Sequence, residues 1–179
     1  MASSRPAMAE QRTERDRVFA RLADEHLDAA YRLARAILRD SGEAQDATHD
    51  AFEQAWRKWS TLRDPSRFEQ WFDRILVNTC RDRLRSARSR ARDISTEPEI
   101  AAADEFSSAH DRDVIGAALA ALPAEQRVVV ALRYYRDLAV DDIAARLDLP
   151  VGTVHSRLHY ALKRLHAAID AADARGTIR

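Results

Sequence analysis

The sequence is poor in the residues that form tight turns, with four glycines and five prolines among 179 residues. A fold of many short strands needs more of both, whereas long helices need few. Alanine, leucine and arginine are abundant, and runs of β-branched residues are scarce. The composition therefore favours an all-α protein, and the length suits one or two small domains.

Cysteine and long apolar runs are lacking too. Cys80 is the single cysteine of the chain, which excludes an intrachain disulfide and a cysteine-rich zinc site. No segment approaches the ~20 consecutive apolar residues that a membrane span needs. The N-terminus carries charges without the apolar core of a secretory signal. We therefore expect a cytoplasmic protein that does not insert into membranes.

The formal net charge is zero, so a nucleic-acid partner has to be argued from local clusters of charge. Residues 71–92 hold seven arginines against two aspartates, and residues 93–113 hold seven acidic residues against one arginine. Residues 151–169 hold three basic residues and three histidines without an acidic residue. The neutral chain thus contains two basic segments separated by an acidic one.

Apolar residues recur at helical spacing in two blocks of the chain, separated by a stretch without periodicity. Asp64 and Pro65 mark the start of one helix, as an N-cap followed by proline in the first turn. We expect two small helical domains joined by a flexible linker. The predicted segments are a disordered N-terminus at residues 1–11, a first helical domain at 12–90, a linker at 91–110, a second helical domain at 111–172 and a tail at 173–179.

Residues 139–165 carry the pattern of a helix-turn-helix. Ile143, the small Ala144 and Leu158 fall where the two helices must pack, and Asp148 lies in the turn. The second helix has no acidic residue, and its hydroxyl, imidazole and guanidinium groups suit base edges and phosphates in a major groove. The alternative is an αα-hairpin within a helical bundle; the absence of acidic residues favours DNA binding. The residues expected to face outward are Thr153, His155, Ser156, Arg157, His159, Tyr160 and Lys163.

A basic stripe lies further upstream, where Arg81, Arg85, Arg88 and Arg92 recur at helical spacing near several aromatic residues. Aromatic rings beside a basic groove are typical of single-stranded nucleic-acid binding. Tryptophans at helical spacing, however, more often belong to a core, and a run of arginines can be a solvated face. Both interpretations stay open. The aromatic residues are Trp56, Trp59, Phe68 and Trp71.

The acidic face of the second predicted helix, with Asp46, Asp50 and Glu53, has no histidine cluster or hydroxyl nucleophile beside it. It is either a solvated face or a protein interface. His155 and His159 are spaced four apart but have no third ligand, and no glycine-rich phosphate loop is present. We therefore expect no enzymatic activity, no cofactor and no metal.

Three stretches of the sequence resemble a known family. The segment LPAEQRVVVALRYYRDLAVDDIAARLDLPVGTVHSRLHYALKRL, residues 122–165, resembles region 4 of the extracytoplasmic-function sigma factors, above all in VGTVHSRL. AQDATHDAFEQAWRKW, residues 44–59, is similar to region 2.2. WFDRILVNTCRDRLR, residues 71–85, is similar to the end of region 2.3 and to region 2.4. The motifs occur in family order, which argues against an activator with the same helix-turn-helix alone.

The resemblance implies a non-enzymatic promoter-specificity factor. It would bind core RNA polymerase through the clamp helices of the largest subunit and the flap, and promoter DNA both as a duplex and as a single strand. The implied polymerase-binding residues are Asp46, His49, Asp50, Gln54 and Trp56. The residues implied for the −10 element are Leu62, Arg63, Phe68, Asn78, Arg81 and Arg85. Those implied for the −35 element are Thr153, His155, Ser156, Arg157, His159 and Lys163.

The sequence departs from the family pattern at three positions. His49 stands where glutamine is usual, Asp148 replaces a turn glycine, and His155 stands where lysine is common. Aspartate tolerates the left-handed backbone better than most residues, so we expect the turn to persist. From the length we expect neither region 1.1 nor region 3, and the resemblance implies that the acidic linker threads toward the RNA exit channel.

Many relatives are held inactive by an anti-sigma factor, and any such partner is expected to compete for the polymerase-facing surfaces. Two alternatives to an initiation factor remain at this point. The first is a helix-turn-helix regulator that binds duplex DNA without polymerase. The second is an adaptor that binds only protein and carries vestigial DNA surfaces.

Overall fold

The computed structural model describes residues 4–93 and 109–176, and over these ranges the protein consists of α-helices and two short 3-10 turns, without a strand. The prediction of an all-α protein is confirmed. The helices are α1 (Ser4–Leu38), α2 (Ser41–Lys58), α3 (Phe68–Asp93), α4 (Ala109–Ala120), α5 (Ala124–Tyr135), α6 (Val140–Leu147) and α7 (Val151–Gly176); the 3-10 turns are Trp59–Thr61 and Pro65–Arg67.

The helix boundaries differ from the predicted ones at the ends of the segments. Residues 4–11, expected to be disordered, form the first turns of α1, and α7 continues to Gly176. Most of the predicted linker, residues 94–108, lies outside the described residues, as do residues 1–3 and 177–179. Within the described ranges no helix is both long and apolar enough to cross a membrane.

Aspartate side chains cap α2 and the 3-10 turn that precedes α3, so the helix predicted to start at Asp64 and Pro65 begins slightly later, at Phe68. Asp40 accepts a hydrogen bond from the backbone N–H of Glu43 at 2.7 Å and thereby caps α2. Asp64 accepts from both the backbone N–H and the hydroxyl of Ser66, and Pro65 opens the 3-10 turn that leads into α3. These hydrogen bonds lower the pKa of the Asp64 carboxyl.

Helices α1, α2 and α3 pack on one another and form the N-terminal bundle. The buried stripe of α2 consists of small side chains, so its neighbours can approach its backbone closely: Ala44, Ala47, Ala51 and Ala55. Larger side chains from α1 and α3 fill the remaining space, among them Leu33, Ile37, Phe72 and Leu76. Phe52 and Phe72 stack with ring centroids 4.3 Å apart.

Helices α4 to α7 form the C-terminal bundle, in which α7 packs against α4, α5 and α6. The core of this bundle is made of buried aliphatic residues from three helices: Val128, Val129, Leu132, Ile143, Ala144, Val154, Leu158 and Ala161.

The two bundles are packed together. Helix α5 lies against α1, and α6 and α5 lie against α3, so one continuous apolar core extends through both bundles. Arg127 of α5 is buried at this contact and donates to the backbone carbonyls of Ile37 in α1, of Ala120 at the end of α4 and of Leu122 just after it. Burial, with help from nearby Arg39, lowers the pKa of Arg127. The sequence predicts two domains, but it does not predict this contact between them.

Candidate nucleic-acid and protein interfaces

The helix-turn-helix forms as the sequence predicts. Ile143 and Ala144 of α6 pack against Val154 and Leu158 of α7, and all four side chains are buried. Asp148 has φ 53° and ψ 52°, the left-handed conformation that a glycine would adopt most easily, and it ends α6 with its N–H on the Ala144 carbonyl. The expectation that aspartate preserves this turn is confirmed.

The outward face of α7 is open over its first three turns. Thr153 is half-buried, whereas His155, Ser156, His159 and Lys163 are exposed. A Cβ built on Gly152 would have no heavy atom within 4 Å, so the start of the helix is unobstructed. Tyr160, which is 56% exposed with its ring beside that of His159, extends the same surface. The surface therefore offers hydroxyl, imidazole, phenol and ammonium groups.

Arg157, the remaining predicted residue of this surface, is already engaged within the protein. Its Nη1 lies 2.9 Å from Oε2 of Glu125 in the first turn of α5. Arg81 of α3 places its Nη2 3.1 Å from the same carboxylate oxygen. One carboxylate thus holds an arginine from each bundle. Glu125 and Arg81 are 44 residues apart in the sequence, so no local sequence pattern predicts the ion pair between them.

The residues predicted for the −10 element divide into an accessible and a buried group. Asn78 and Arg85 are exposed on α3, and Arg63 is exposed in the loop before it. Leu62 is partly buried against the core. Arg85 pairs with Asp82 one turn earlier, at 2.7 Å. Arg81, also on α3, is half-buried.

Phe68 has to be removed from the predicted DNA-contacting residues. Its side chain is 1% exposed and lies among the rings of Phe19, Trp59, Trp71 and Phe72. A ring enclosed in this way cannot stack on a base unless the core opens. The core interpretation of the aromatic cluster therefore holds for Phe68.

The three tryptophans differ in exposure. Trp59 is buried, donates from its indole N–H to the Arg15 carbonyl at 3.0 Å and lies beneath the Arg15 guanidinium. Trp71 is half-buried. Trp56 is 47% exposed on α2, with one ring edge against Phe19. Trp56 is thus the tryptophan best placed to contact a partner.

The predicted polymerase-binding residues lie on the exposed face of α2, between the edge that borders α1 and the edge that borders α3. Trp56 lies at the α1 edge, where its ring contacts Phe19. The side chain of His49 is exposed. At the α3 edge, Gln54 donates to the hydroxyl of Thr79 at 3.1 Å. Asp50 and Asp46 lie near Arg83 of α3, at 2.6 Å and 3.8 Å. A surface of this kind presents acids and one aromatic ring to a protein partner.

Arg83 organises the acidic side of this face and is not among the predicted site residues. It donates to Asp50 and to Glu43 at 2.7 Å, and these hydrogen bonds raise its pKa. Arg83 is one of several arginines in α3, and the sequence around it does not indicate that its side chain points toward α2. A shallow groove follows the same line between the two helices, bordered by Asp50, Gln54 and Arg83.

A buried ion cluster joins the bundles beside the core. Asp73 of α3 is fully buried and contacts Arg136 at 2.7 Å and Arg146 at 3.5 Å. Arg136 also reaches Glu69 at 3.1 Å. Burial raises the pKa of Asp73 against the opposing effect of the two arginines. The cluster is made by residues more than 60 positions apart, which is why the sequence does not reveal it.

In the described part of the chain, no group of three or more histidine, cysteine or acidic side chains is arranged to hold a metal ion. Cys80 is buried in α3, and burial raises the pKa of its thiol to about 12. A thiol of this kind is protonated at neutral pH and is a poor nucleophile.

Two protein-family models match this chain, one in each bundle. The family model described as Sigma-70 region 2 matches residues 22–90, and the model described as Sigma-70, region 4 matches residues 112–165. Together they span most of the chain.

Curated relatives match over more than four fifths of the chain. The chain is 36% identical over 153 residues to the ECF RNA polymerase sigma factor SigL of Mycobacterium tuberculosis, covering 83% of this chain and 86% of that one. It is 32% identical over 148 residues to the RNA polymerase sigma-E factor of Streptomyces coelicolor, covering 82% of each.

Two solved structures are similar in fold. The sigma factor RpoE from Bartonella quintana, solved with the anti-sigma factor NepR, superposes with a TM-score of 0.72 at 24% identity, covering 85% of this chain and 96% of that one. CnrH, solved with the cytosolic domain of CnrY, gives a TM-score of 0.61 at 27% identity, with 87% and 90% covered.

Proposed function

This chain belongs to the extracytoplasmic-function family of RNA polymerase sigma factors, and from that premise we propose which of its surfaces carry each part of promoter recognition. It is a promoter-recognising sigma factor of RNA polymerase, with region 2 in the N-terminal bundle and region 4 in the C-terminal bundle. The division of work among residues, set out below, is our proposal.

Region 4 reads the −35 element with the exposed face of α7. The observation that carries this assignment is an open, acid-free helix face that follows a well-formed helix-turn-helix. His155, Ser156 and His159 face solvent where base edges would lie, and Lys163 suits a phosphate. Arg157 completes the set once it leaves Glu125, because its guanidinium can bind a guanine or a phosphate in a bidentate manner.

Region 2 captures the melted −10 element along α3 and the loop before it. Asn78, Arg81 and Arg85 supply hydrogen bonds and counter-charge for a single strand. Arg63 and Leu62 extend this surface into the loop. Phe68 contributes indirectly, because its buried ring anchors the point where the loop joins α3.

Core RNA polymerase docks on the exposed face of α2. His49 and Trp56 are free to enter the interface, while Asp46, Asp50 and Gln54 present acceptors whose positions are set by α3. Tryptophans are enriched among the residues that dominate binding energy at protein interfaces, so Trp56 is the expected anchor of this contact. Since the relative RpoE binds an anti-sigma factor, we infer that a regulator of this class would compete for the same face.

The proposed role requires no catalysis by the chain itself, and its cellular place follows from its partner. Core polymerase bound to DNA is found in the bacterial cytoplasm, and we place the chain there. Recruitment of the polymerase and recognition of the promoter are binding events, so neither a cofactor nor a metal enters the proposal.

The test is run-off transcription with bacterial core polymerase on a library of random promoter fragments, with and without the chain. We expect initiation sites that appear only with the chain and share −10 and −35 sequences. A control sigma factor must be active on the same core. If the control initiates and this chain does not, the proposal is wrong; a core-binding assay and a duplex-binding assay then separate an adaptor from a polymerase-independent regulator.

A further inference from the structure

The loop proposed to capture the −10 element is held at both ends by one short stretch of α1. This loop, residues 60–67, runs from Trp59 at the end of α2 to Phe68 at the start of α3. The ring of Phe19 in α1 lies edge-on to both, with its centroid 5.3 Å from that of Trp59 and 6.0 Å from that of Phe68. All three side chains are buried. The two ends of the loop therefore pack on the same point of α1.

Arg15, one turn before Phe19, adds two hydrogen bonds to this support. Its Nη2 donates to the backbone carbonyl of Trp59 at 3.0 Å, and the indole N–H of Trp59 donates to the backbone carbonyl of Arg15 at 3.0 Å. The guanidinium carbon lies 5.9 Å from the centre of the Trp59 ring, within cation–π range. The same Trp59 carbonyl accepts from the N–H of Leu62. Arg15 thus fixes the oxygen on which the turn into the loop closes.

The hydrogen bonds inside the loop are local. The Thr61 hydroxyl donates to the Lys58 carbonyl. The N–H groups of Ser66 and Arg67 donate to oxygens of Asp64. Most side chains of the loop are exposed. Since an exposed segment with local hydrogen bonds opens at low cost in free energy, the order of this loop depends on how firmly its ends are held.

We propose that Arg15 is a positioning residue for capture of the −10 element, which acts through Trp59 to hold residues 60–67 in the conformation that receives single-stranded bases. Arg15 lies before residue 22, where the match to the region 2 model begins, and 44 positions from Trp59. This inference rests on the proposed function, because it assumes that Leu62 and Arg63 contact the −10 element. A loop that is already ordered loses less conformational entropy when DNA binds, so the complex is more stable.

The first measurement is hydrogen–deuterium exchange of the full chain without DNA or polymerase, followed by mass spectrometry. Arg15→Met keeps a long side chain but removes the charge and the donors that reach Trp59. We expect the amides of residues 60–67 to exchange about three- to tenfold faster in this variant, as loss of a hydrogen bond and a cation–π contact allows. The matched control is Arg17→Met, which removes an exposed arginine paired with Glu14 on the same helix and should change this exchange by less than about twofold.

The second measurement is run-off transcription by core polymerase with the full chain, on the strongest promoter found in the random library. Single-base substitutions in its −10 and −35 sequences give a discrimination ratio for each element, and such a ratio does not depend on how much of the chain is folded. In Arg15→Met we expect discrimination at the −10 element to fall by about threefold or more, because a mobile loop selects bases less strictly. Discrimination at the −35 element should change by less than about twofold, and Arg17→Met should match the parent chain at both elements.

A conservative variant separates the contact with Trp59 from a general effect of changing α1. Arg15→Lys keeps a cation that can lie over the indole ring and donate to the Trp59 carbonyl. It should recover most of the protection of the loop and most of the discrimination at the −10 element. If Arg15→Lys is no better than Arg15→Met in both measurements, the contact with Trp59 is not the cause and the inference is wrong.

The outcomes distinguish this inference from the proposed function. If residues 60–67 exchange equally fast in Arg15→Met and Arg17→Met, Arg15 does not hold the loop and the inference is wrong, whatever the parent chain does in transcription. If the loop loosens but discrimination at the −10 element is unchanged, the positioning role is wrong while the proposed function stands. If the parent chain directs no initiation, the proposed function falls and takes the positioning role with it, whereas faster exchange in Arg15→Met still shows that Arg15 holds the loop.

Discussion

Arg83 of α3 donates a hydrogen bond to Asp50 of α2, with 2.6 Å between Nη2 and Oδ2. The same guanidinium reaches Glu43 at 2.7 Å, so two carboxylates of α2 are oriented by one side chain of a different helix. The acidic edge proposed to meet core polymerase is therefore preorganised by the helix proposed to meet DNA. A change in the tilt of α3 would be felt at both surfaces.

Replacing Arg83 by alanine should destabilise the N-terminal bundle. The change leaves Asp50, Glu43 and Asp46 close together without their shared counter-charge, and we expect a loss of about 1–2 kcal/mol in the free energy of unfolding. Urea denaturation measures it. The control is Arg85→Ala, which breaks one exposed pair with Asp82 and should cost below about 0.5 kcal/mol. Equal losses in the two variants would contradict the organising role of Arg83.

Replacing Phe68 by alanine should cost about 3–5 kcal/mol of unfolding free energy, because a fully buried ring is lost and a cavity remains. Trp56→Ala, at an exposed position, should cost about 1 kcal/mol or less. Chemical denaturation of both variants makes the comparison. A loss below about 1 kcal/mol for Phe68→Ala would mean that the ring is not enclosed, and would return Phe68 to the candidates for base contact.

Arg157→Ala should lower promoter-directed initiation by about tenfold or more, as expected for loss of one specific arginine contact to a base, while binding to core polymerase stays unchanged. The control is Arg21→Ala, an exposed change on α1 that leaves α7 untouched. Run-off transcription and a core-binding assay are measured side by side. Loss of core binding in Arg157→Ala would overturn the assignment of this residue to DNA.

The Cys80 thiol should be unreactive in the folded chain. Burial raises its pKa to about 12, above its ordinary value, so the protonated form is favoured by folding. The stability that this contributes is complete below the ordinary pKa of a thiol, and it falls as the pH rises from that value toward about 12, so stability at pH 7 is unaffected.

Iodoacetamide at pH 8.5 measures this reactivity, with glutathione as the reference thiol. We expect no modification of native chain while glutathione reacts fully, and modification that rises with urea in step with unfolding. Native labelling within tenfold of the glutathione rate would show that the thiol is accessible. If Cys80 is unreactive, a cysteine introduced at the surface is the only site that a thiol reagent labels in the folded chain.

Sequence reasoning succeeds where the signal is local. The cap at Asp64, the left-handed turn at Asp148 and the packing of Ala144 against α7 are each encoded within a few residues. Spacing correctly places His155 and His159 on an outward face. The resemblance, which implies that Phe68 contacts the −10 element, disagrees with the burial of its ring, because a motif does not tell which aromatic residues the neighbouring helices cover.

The sequence by itself therefore determined the helices, their caps, the helix-turn-helix and, through motif order, the family. These properties depend on contacts between residues close in the chain. Only the tertiary structure decided that Glu125 holds Arg81 and Arg157, that Arg83 turns toward α2, and that Asp73 is buried between bundles. Those contacts join residues 32 or more positions apart in the sequence. The packing of the helices determines which side chains meet, and a short-range sequence pattern carries no information about that packing.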